Sequence, residues 1–297
     1  MTAEKKKPKA PATASSPAKK RGQGSGVKSA PSRPKPKQGK RQAGGGRGSK
    51  PMRWILLSLL GLLVAILAYF TFRVIADNAF NIKARFGKVT YPAGDIRGID
   101  ISHYQQEIDW DRLRNANIDG VPVSFMLIKA TEGSNIIDEY FNQNFFQARE
   151  AGIRRGAYHF LTTSSDALQQ ARFYCRVVQL EGGDIAPVLD VERRDGMPLQ
   201  QLQKHVLTWM NYVEQHYGIT PILYTSYKFR TDYLNTPEFD RYPLWIAHYY
   251  VERLRYKGKW AIWQHTDQGS VDGIKGDVDL NVLNGTRDDL EQLLLKH

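Results

Sequence analysis

The chain changes texture three times along its length. Residues 1–50 have no apolar periodicity and are dominated by Lys, Pro, Gly, Ser and Ala. Such a stretch buries nothing that could offset the entropy of ordering, so it reads as disordered. From Trp54 to Phe72 the pattern inverts into nineteen residues without one charge. As a helix they span about 28 Å, close to the thickness of a bilayer's hydrocarbon core. Trp54 opens this run and Tyr69, Phe70 and Phe72 close it, in the manner of interfacial aromatic belts. The run is longer than the core of an ordinary secretory signal. No small-x-small cleavage site follows it directly, and Ala76-Asp77-Asn78-Ala79 is a poor candidate further on. An uncleaved anchor is therefore expected. Residues 73–94 read as a juxtamembrane spacer that could reach about 70 Å if fully extended.

From Asp95 the texture becomes short apolar runs alternating with helical periodicity. Strands are expected at Ile96–Ser102, Ser124–Thr131, Arg154–Leu161, Ala186–Glu192, Ile222–Ser226, Leu244–His248, Ala261–His265 and Val278–Val282. Helices are expected at Ile137–Ala151, Asp166–Leu180 and Leu199–Tyr217, with Gly152 and Gly218 where helix C-termini favour glycine. Alternating strands and helices predict a parallel sheet. About eight strands in some 200 residues predict an α/β fold, a modified TIM-like β/α barrel with its helices reduced in the C-terminal part. The expected domains are thus a basic tail at 1–53, a transmembrane helix at 54–72, a spacer at 73–94 and a barrel at 95–297.

Charge sharpens this division. The whole chain carries +12, but residues 1–53 hold sixteen Lys/Arg against Glu4 alone, which leaves the remainder at −3. The basic balance belongs to the tail, so no specific nucleic-acid partner is inferred for the folded part. The same excess places the tail in the cytoplasm and everything after Arg73 on the far side of the membrane. The lone Cys175 allows no internal disulfide and sits in a helical context, where it reads as an ordinary helix residue.

In a parallel barrel the active site lies at the carboxyl ends of the strands. The first run ends in Asp100, Ser102 and His103, the second in Lys129, Thr131 and Glu132, the third in Tyr158 and His159, the fourth in Asp190 and Glu192, and the seventh in Gln264 and His265. The last carries Asp277, Asp279 and Asn281. Asp190 and Glu192 form the sharpest pair. Alternate strand residues share a face, which sets them about 6.6 Å apart with Val191 opposite. Two such carboxyls cannot ionise independently, so one is raised and supplies a protonated acid near neutral pH. Glycosidic cleavage needs such an acid together with a carboxylate that stabilises charge at the anomeric carbon. Two other readings stay open: ion pairing of the two acids to Arg193 or Arg194, and a divalent metal site. No His-x-x-x-His or Cys pair supports the metal. His159 and His265 read as hydrogen-bonded rim residues. Tyr158, Tyr224 and Trp245 suit stacking on sugar faces or core packing, whereas Trp263 reads as core because Gln264 takes the opposite face.

The strings Gly98-Ile99-Asp100-Ile101-Ser102, Lys129-Ala130-Thr131-Glu132-Gly133, Gly156-Ala157-Tyr158-His159-Phe160, Asp190-Val191-Glu192, Leu223-Tyr224-Thr225-Ser226, Leu244-Trp245-Ile246-Ala247, Trp263-Gln264-His265 and Val278-Asp279-Leu280-Asn281 occur in this order. Together they resemble glycoside hydrolase family 25 over about residues 95–290. The resemblance implies a lysozyme that cleaves the β-1,4 bond between N-acetylmuramic acid and N-acetylglucosamine in peptidoglycan, with no cofactor or metal. It implies Glu192 as general acid and Asp190 as its partner carboxylate. It also implies Asp100 and Asp279 as further carboxylates, with Tyr158, Tyr224, Trp245 and Gln264 as cleft residues. A chitinase-like barrel also ends its fourth strand in Asp-x-Glu, but would carry another Asp where Val188 stands. A non-catalytic envelope tether that binds peptidoglycan is the other alternative, and the intact carboxylate set counts against it.

Overall fold

The computed structural model describes residues 50–86 and 91–296. The expected disordered tail lies, up to residue 49, outside the described residues, as do residues 87–90 of the expected spacer.

Helix α1 runs Lys50–Phe86. Its Met52–Arg73 portion is apolar on every face and, at 22 residues, long enough to cross a membrane. The expected anchor, 54–72, lies within it, and the first part of the expected spacer continues the same helix.

The remaining elements build a closed barrel. In chain order these are β1 Arg97–Ile101, α2 Trp110–Leu113, β2 Asn117–Ile118, β3 Val121–Glu132, β4 Ile136–Ile137, α3 Phe141–Glu150, β5 Arg154–Phe160, α4 Ala167–Val177, β6 Val188–Asp190, α5 Leu199–Tyr217, β7 Ile222–Ser226, α6 Tyr227–Tyr233, β8 Leu244–Ala247, β9 Ile262–Gly269, β10 Val278–Leu283 and α7 Arg287–Glu291. Around the barrel the order is β1-β10-β9-β8-β7-β6-β5-β3, closed by β3 on β1. Each of the eight expected runs supplies one of these strands. The sheet is not wholly parallel, as expected, but mixed. β10 runs antiparallel to both its neighbours, and every other pairing in the ring is parallel. Helices α3, α4, α5 and α6 cover the parallel half. The β8–β9 connection, residues 248–261, contains no helix.

Two apolar layers follow from strand alternation. Phe125, Leu127, Val188, Ile222, Trp245 and Ile262 point into the barrel. Their neighbours Met126, Ile128, Leu189, Leu223, Ile246 and Trp263 point outward into the layer shared with the helices. Gly98 is required here, because a Cβ at that position would lie 2.4 Å from the Phe125 ring that fills the barrel floor. Helix α5 buries Leu202, Val206, Trp209, Met210 and Val213, one stripe at helical spacing, and ends on Gly218 in the left-handed region at φ 70°. Cys175 is buried on α4, where burial pushes its thiol up to about 12.

The same alternation corrects the histidines. Tyr158 points into the barrel, so His159 points out and is buried against α4 and α5. It bonds Thr131 Oγ1 at 2.7 Å and Gln170 Oε1 at 3.1 Å, and it stacks on Trp209. Burial lowers it to about 3, which keeps the ring neutral. His265 flanks Gln264 in the same way and packs against Trp263 and Tyr91. Neither histidine is a rim residue.

Candidate active site

At the carboxyl ends of the parallel strands lies a cleft of about 450 Å³. Asp100, Asp190, Glu192, Asp279, Tyr158, Tyr224, Trp245 and Gln264 all line it. Strand geometry delivers them. Asp100 is near the end of β1, Asp190 ends β6, and Glu192 follows on the same face, with Val191 turned outward into the core. Asp279 stands at the start of β10, directly opposite Asp100.

The base of the cleft is a hydrogen-bonded clamp around Asp100, which is only 5% exposed. Gln264 Nε2 donates to both of its oxygens, at 2.8 and 2.9 Å, and Asn281 Nδ2 donates to Oδ1 at 2.7 Å. Each donor is itself fixed. Trp245 Nε1 donates to Asn281 Oδ1 at 2.7 Å, and the hydroxyls of Tyr224 and Tyr249 donate to Gln264 Oε1 at 2.7 and 2.6 Å. Trp245 is 1% exposed, so it serves the cleft mainly by orienting Asn281.

This environment separates the carboxyls. Burial raises Asp100, but the amide donors hold it to about 6. Asp279 has no such clamp; burial and the neighbouring Asp100 charge push it to about 9. Near neutral pH Asp100 is therefore ionised and Asp279 protonated. Burial first, and the charge of Glu192 second, raise Asp190 well above the usual carboxylate range. Its Oδ1 is buried without a hydrogen-bond partner among the described residues. Glu192 touches solvent on the open side of the cleft, yet enough protein surrounds it that burial also raises its carboxyl. Both carboxyls of the pair are thus raised, and Asp190 is the more deeply buried of the two.

Several residues of the cleft and of the clamp beneath it were given no role from the sequence. Asn281 lies two residues beyond Asp279 on the same strand face, a relation that alternation alone reveals. Lys129 and Glu132, both at strand ends, pair at 2.6 Å on one wall. Tyr104 stands 78% exposed at the mouth with its ring against His103, and Tyr249 emerges from the β8–β9 connection. Among the described residues no group of three or more His, Cys, Asp or Glu is arranged to hold a metal ion. A wider hollow of about 560 Å³, beside Arg112 and Asp272, which pair with each other, includes none of the four cleft carboxyls.

Residues 99–274 match the glycosyl hydrolases of family 25. The chain is 39% identical over 251 residues to the Escherichia coli O6:H1 protein YegX, covering 80% of this chain and 92% of that one. It is 31% identical over 218 residues to lysozyme M1 of Streptomyces globisporus, covering 64% and 68%. The crystal structure of a bacterial lysozyme from Streptomyces coelicolor superposes with a TM-score of 0.62 at 30% identity, over 68% of this chain and 97% of that one. A fold with eight strands in this order, a cleft at their carboxyl ends and these relatives have one reading: the chain belongs to glycosyl hydrolase family 25 and is a glycoside hydrolase whose relatives include lysozymes.

Proposed function

We propose that this chain is a peptidoglycan muramidase that hydrolyses the β-1,4 bond between N-acetylmuramic acid and N-acetylglucosamine, with Glu192 as general acid. The observation that carries the reading is the convergence of four carboxyls of unlike environment in one cleft walled by aromatic rings. Glu192 stands where an entering glycan reaches it first. A sugar laid over it excludes water and favours its protonated form, which then donates to the leaving oxygen. Asp190 lies two residues earlier on the same face, nearer the floor. As positive charge develops at the anomeric carbon, Asp190, having passed the pair's shared proton to Glu192, stabilises it as a carboxylate. Asp100, ionised and clamped, adds a fixed negative charge below the sugar. Asp279, holding its proton, is placed to donate a hydrogen bond to a polar substituent. Tyr158, Tyr224 and the rings at the mouth offer faces for the sugar.

The apolar helix around residues 54–72 would hold the enzyme at a membrane, with residues 1–53 in the cytoplasm and the barrel at 95–297 in the periplasm or outside the cell. Mass spectrometry of soluble products from purified peptidoglycan tests the chemistry, and N-acetylmuramic acid is expected at the new reducing ends. In Glu192→Gln turnover should fall about 10²–10⁴-fold while glycan binding persists, because the amide keeps the shape but delivers no proton. Retention of more than about a tenth of wild-type turnover would remove Glu192 from the acid's role.

A further inference from the structure

Several exposed cations of the barrel are paired, among them Arg112 with Asp272, Arg149 with Glu181, Arg154 with Glu291 and Arg241 with Glu214, while others, such as Lys204, Lys275 and Arg287, form no ion pair among the described residues. The β8–β9 connection concentrates four cations of the second kind within seven residues. Arg253, Arg255, Lys257 and Lys259 are all exposed, and none forms an ion pair among the described residues. Glu252 is the only acid in residues 248–261. Four unmatched cations stand out in a portion of the chain that is otherwise net negative.

Their position gives them a use. Arg253 and Arg255 border a hollow of about 470 Å³ that also takes in His248, Tyr250, Val251 and one acid, Glu252. This hollow adjoins the cleft. Tyr249 lines the cleft, Tyr250 lines the hollow, and the Tyr250 hydroxyl donates to Asp267, a cleft residue. Tyr250 adopts φ 58°, a left-handed conformation rare for an aromatic side chain. Such backbone persists where its surroundings enforce it, often at binding sites. The hollow is also held from behind, by His248 stacked on Tyr227 and by Tyr256 against the same ring.

We propose that this hollow receives the anionic peptide stem carried by the muramic acid residue whose sugar lies in the cleft, a reading that rests on the muramidase assignment. The stem leaves the sugar through a lactyl group and bears free carboxylates. A cleft floored by the ionised Asp100 repels those carboxylates, so the stem exits sideways. Arg253 and Arg255 supply the complementary charge on the side where Tyr249 and Tyr250 join the two spaces, and Lys257 and Lys259 extend the positive field.

The test uses the full chain in detergent and the variant R253Q/R255Q, which leaves the cleft residues untouched. Binding of an N-acetylmuramyl peptide with free carboxylates, followed by calorimetry, should weaken about three- to tenfold in the variant, as two exposed charge contacts allow. Wild-type binding should weaken similarly when those carboxylates are amidated. Turnover should fall by a like factor on stem-bearing peptidoglycan, less so in about 0.5 M salt, and stay unchanged on glycan strands stripped of stems. Equal peptide binding by variant and wild type overturns the proposal. So does an equal turnover loss on stripped strands, which would mean the arginines support the fold. A variant that loses affinity for phosphatidylglycerol vesicles but keeps its peptide affinity also overturns it and assigns the loop to a lipid surface. Peptide binding of the expected pattern in a chain that cuts no glycan sustains the hollow and defeats the muramidase reading.

Discussion

Asn281→Leu isolates the clamp on Asp100. Leucine keeps nearly the shape of asparagine, so no large cavity opens at this fully buried position. Two interactions disappear. Trp245 Nε1 loses its acceptor among the described residues, and a buried donor left unpaired costs about 1–3 kcal/mol at any pH. Asp100 loses the 2.7 Å bond from Asn281. A bond to a charged group contributes about 1.5–3 kcal/mol, and it does so in full only while the carboxyl is ionised. That difference equals about one to two pK units, which moves Asp100 from about 6 to about 7–8. The sign follows from linkage. The folded value lies above the unfolded value of about 3.9, so the folded state binds the proton more tightly between the two. Stability therefore falls as pH rises from about 4 to about 6 in the wild type and goes on falling to about 8 in the variant. Urea unfolding followed by near-ultraviolet circular dichroism at pH 5 and pH 8 measures this. The variant should be less stable by about 1–3 kcal/mol at pH 5, and the gap should widen by about a further 1–3 kcal/mol at pH 8. A gap of the same size at both pH values would show that Asn281 does not stabilise an ionised Asp100.

Asp190→Asn should lower turnover and move the limb of the kcat–pH profile set by Glu192 to lower pH, because in the glycan complex Asp190 is the carboxyl proposed to carry the neighbouring negative charge. Asp111→Asn serves as its control; Asp111 lies on α2 with a 91% exposed side chain and should be near silent. Chelators should leave activity unchanged, and activity lost to a chelator and restored by a divalent ion would revive a metal role for the carboxyls. Protease added to intact spheroplasts should degrade the barrel and spare the basic tail, and protection of the barrel would reverse the proposed topology.

Much of the barrel was legible because each strand run is short, apolar and bounded by polar residues, and because α3, α4 and α5 carry helical periodicity. The short helices were not. α2, α6 and α7 span seven residues or fewer, too short for a periodic signal. The expected helix at Ile137–Ala151 loses its first turn because Ile136 and Ile137 pair with β3, while Asp138 accepts from the backbone N–H groups of His103 and Tyr140. Alternation also placed the candidate site residues together, since Asp100, Tyr158, Asp190, Tyr224, Trp245 and Gln264 share the inner face. Applied strictly, the same rule would have turned His159 and His265 outward. The clamp that joins Trp245, Asn281, Asp100 and Gln264 depends on the register of β8, β9, β10 and β1, which no single strand encodes.

The direction of β10 is the feature on which the site's electrostatics turn. An apolar–polar alternation reads the same in either direction, so the pattern of Val278–Leu283 could not orient the strand. The connection could. Residues 270–277 separate β9 from β10, and a parallel crossover needs about a dozen or more residues. A turn that short forces an antiparallel return. Because β10 enters the barrel at the rim where its neighbours leave, its first inward residues, Asp279 and Asn281, reach the cleft, and its last, Leu283, packs in the barrel interior. A parallel strand would have brought Leu283 to the rim and buried the Asp279 carboxyl at the opposite end. The antiparallel register instead sets Asp279 against Asp100. It thereby creates a pair of acids in which amide donors keep one member ionised while the other holds its proton up to about 9.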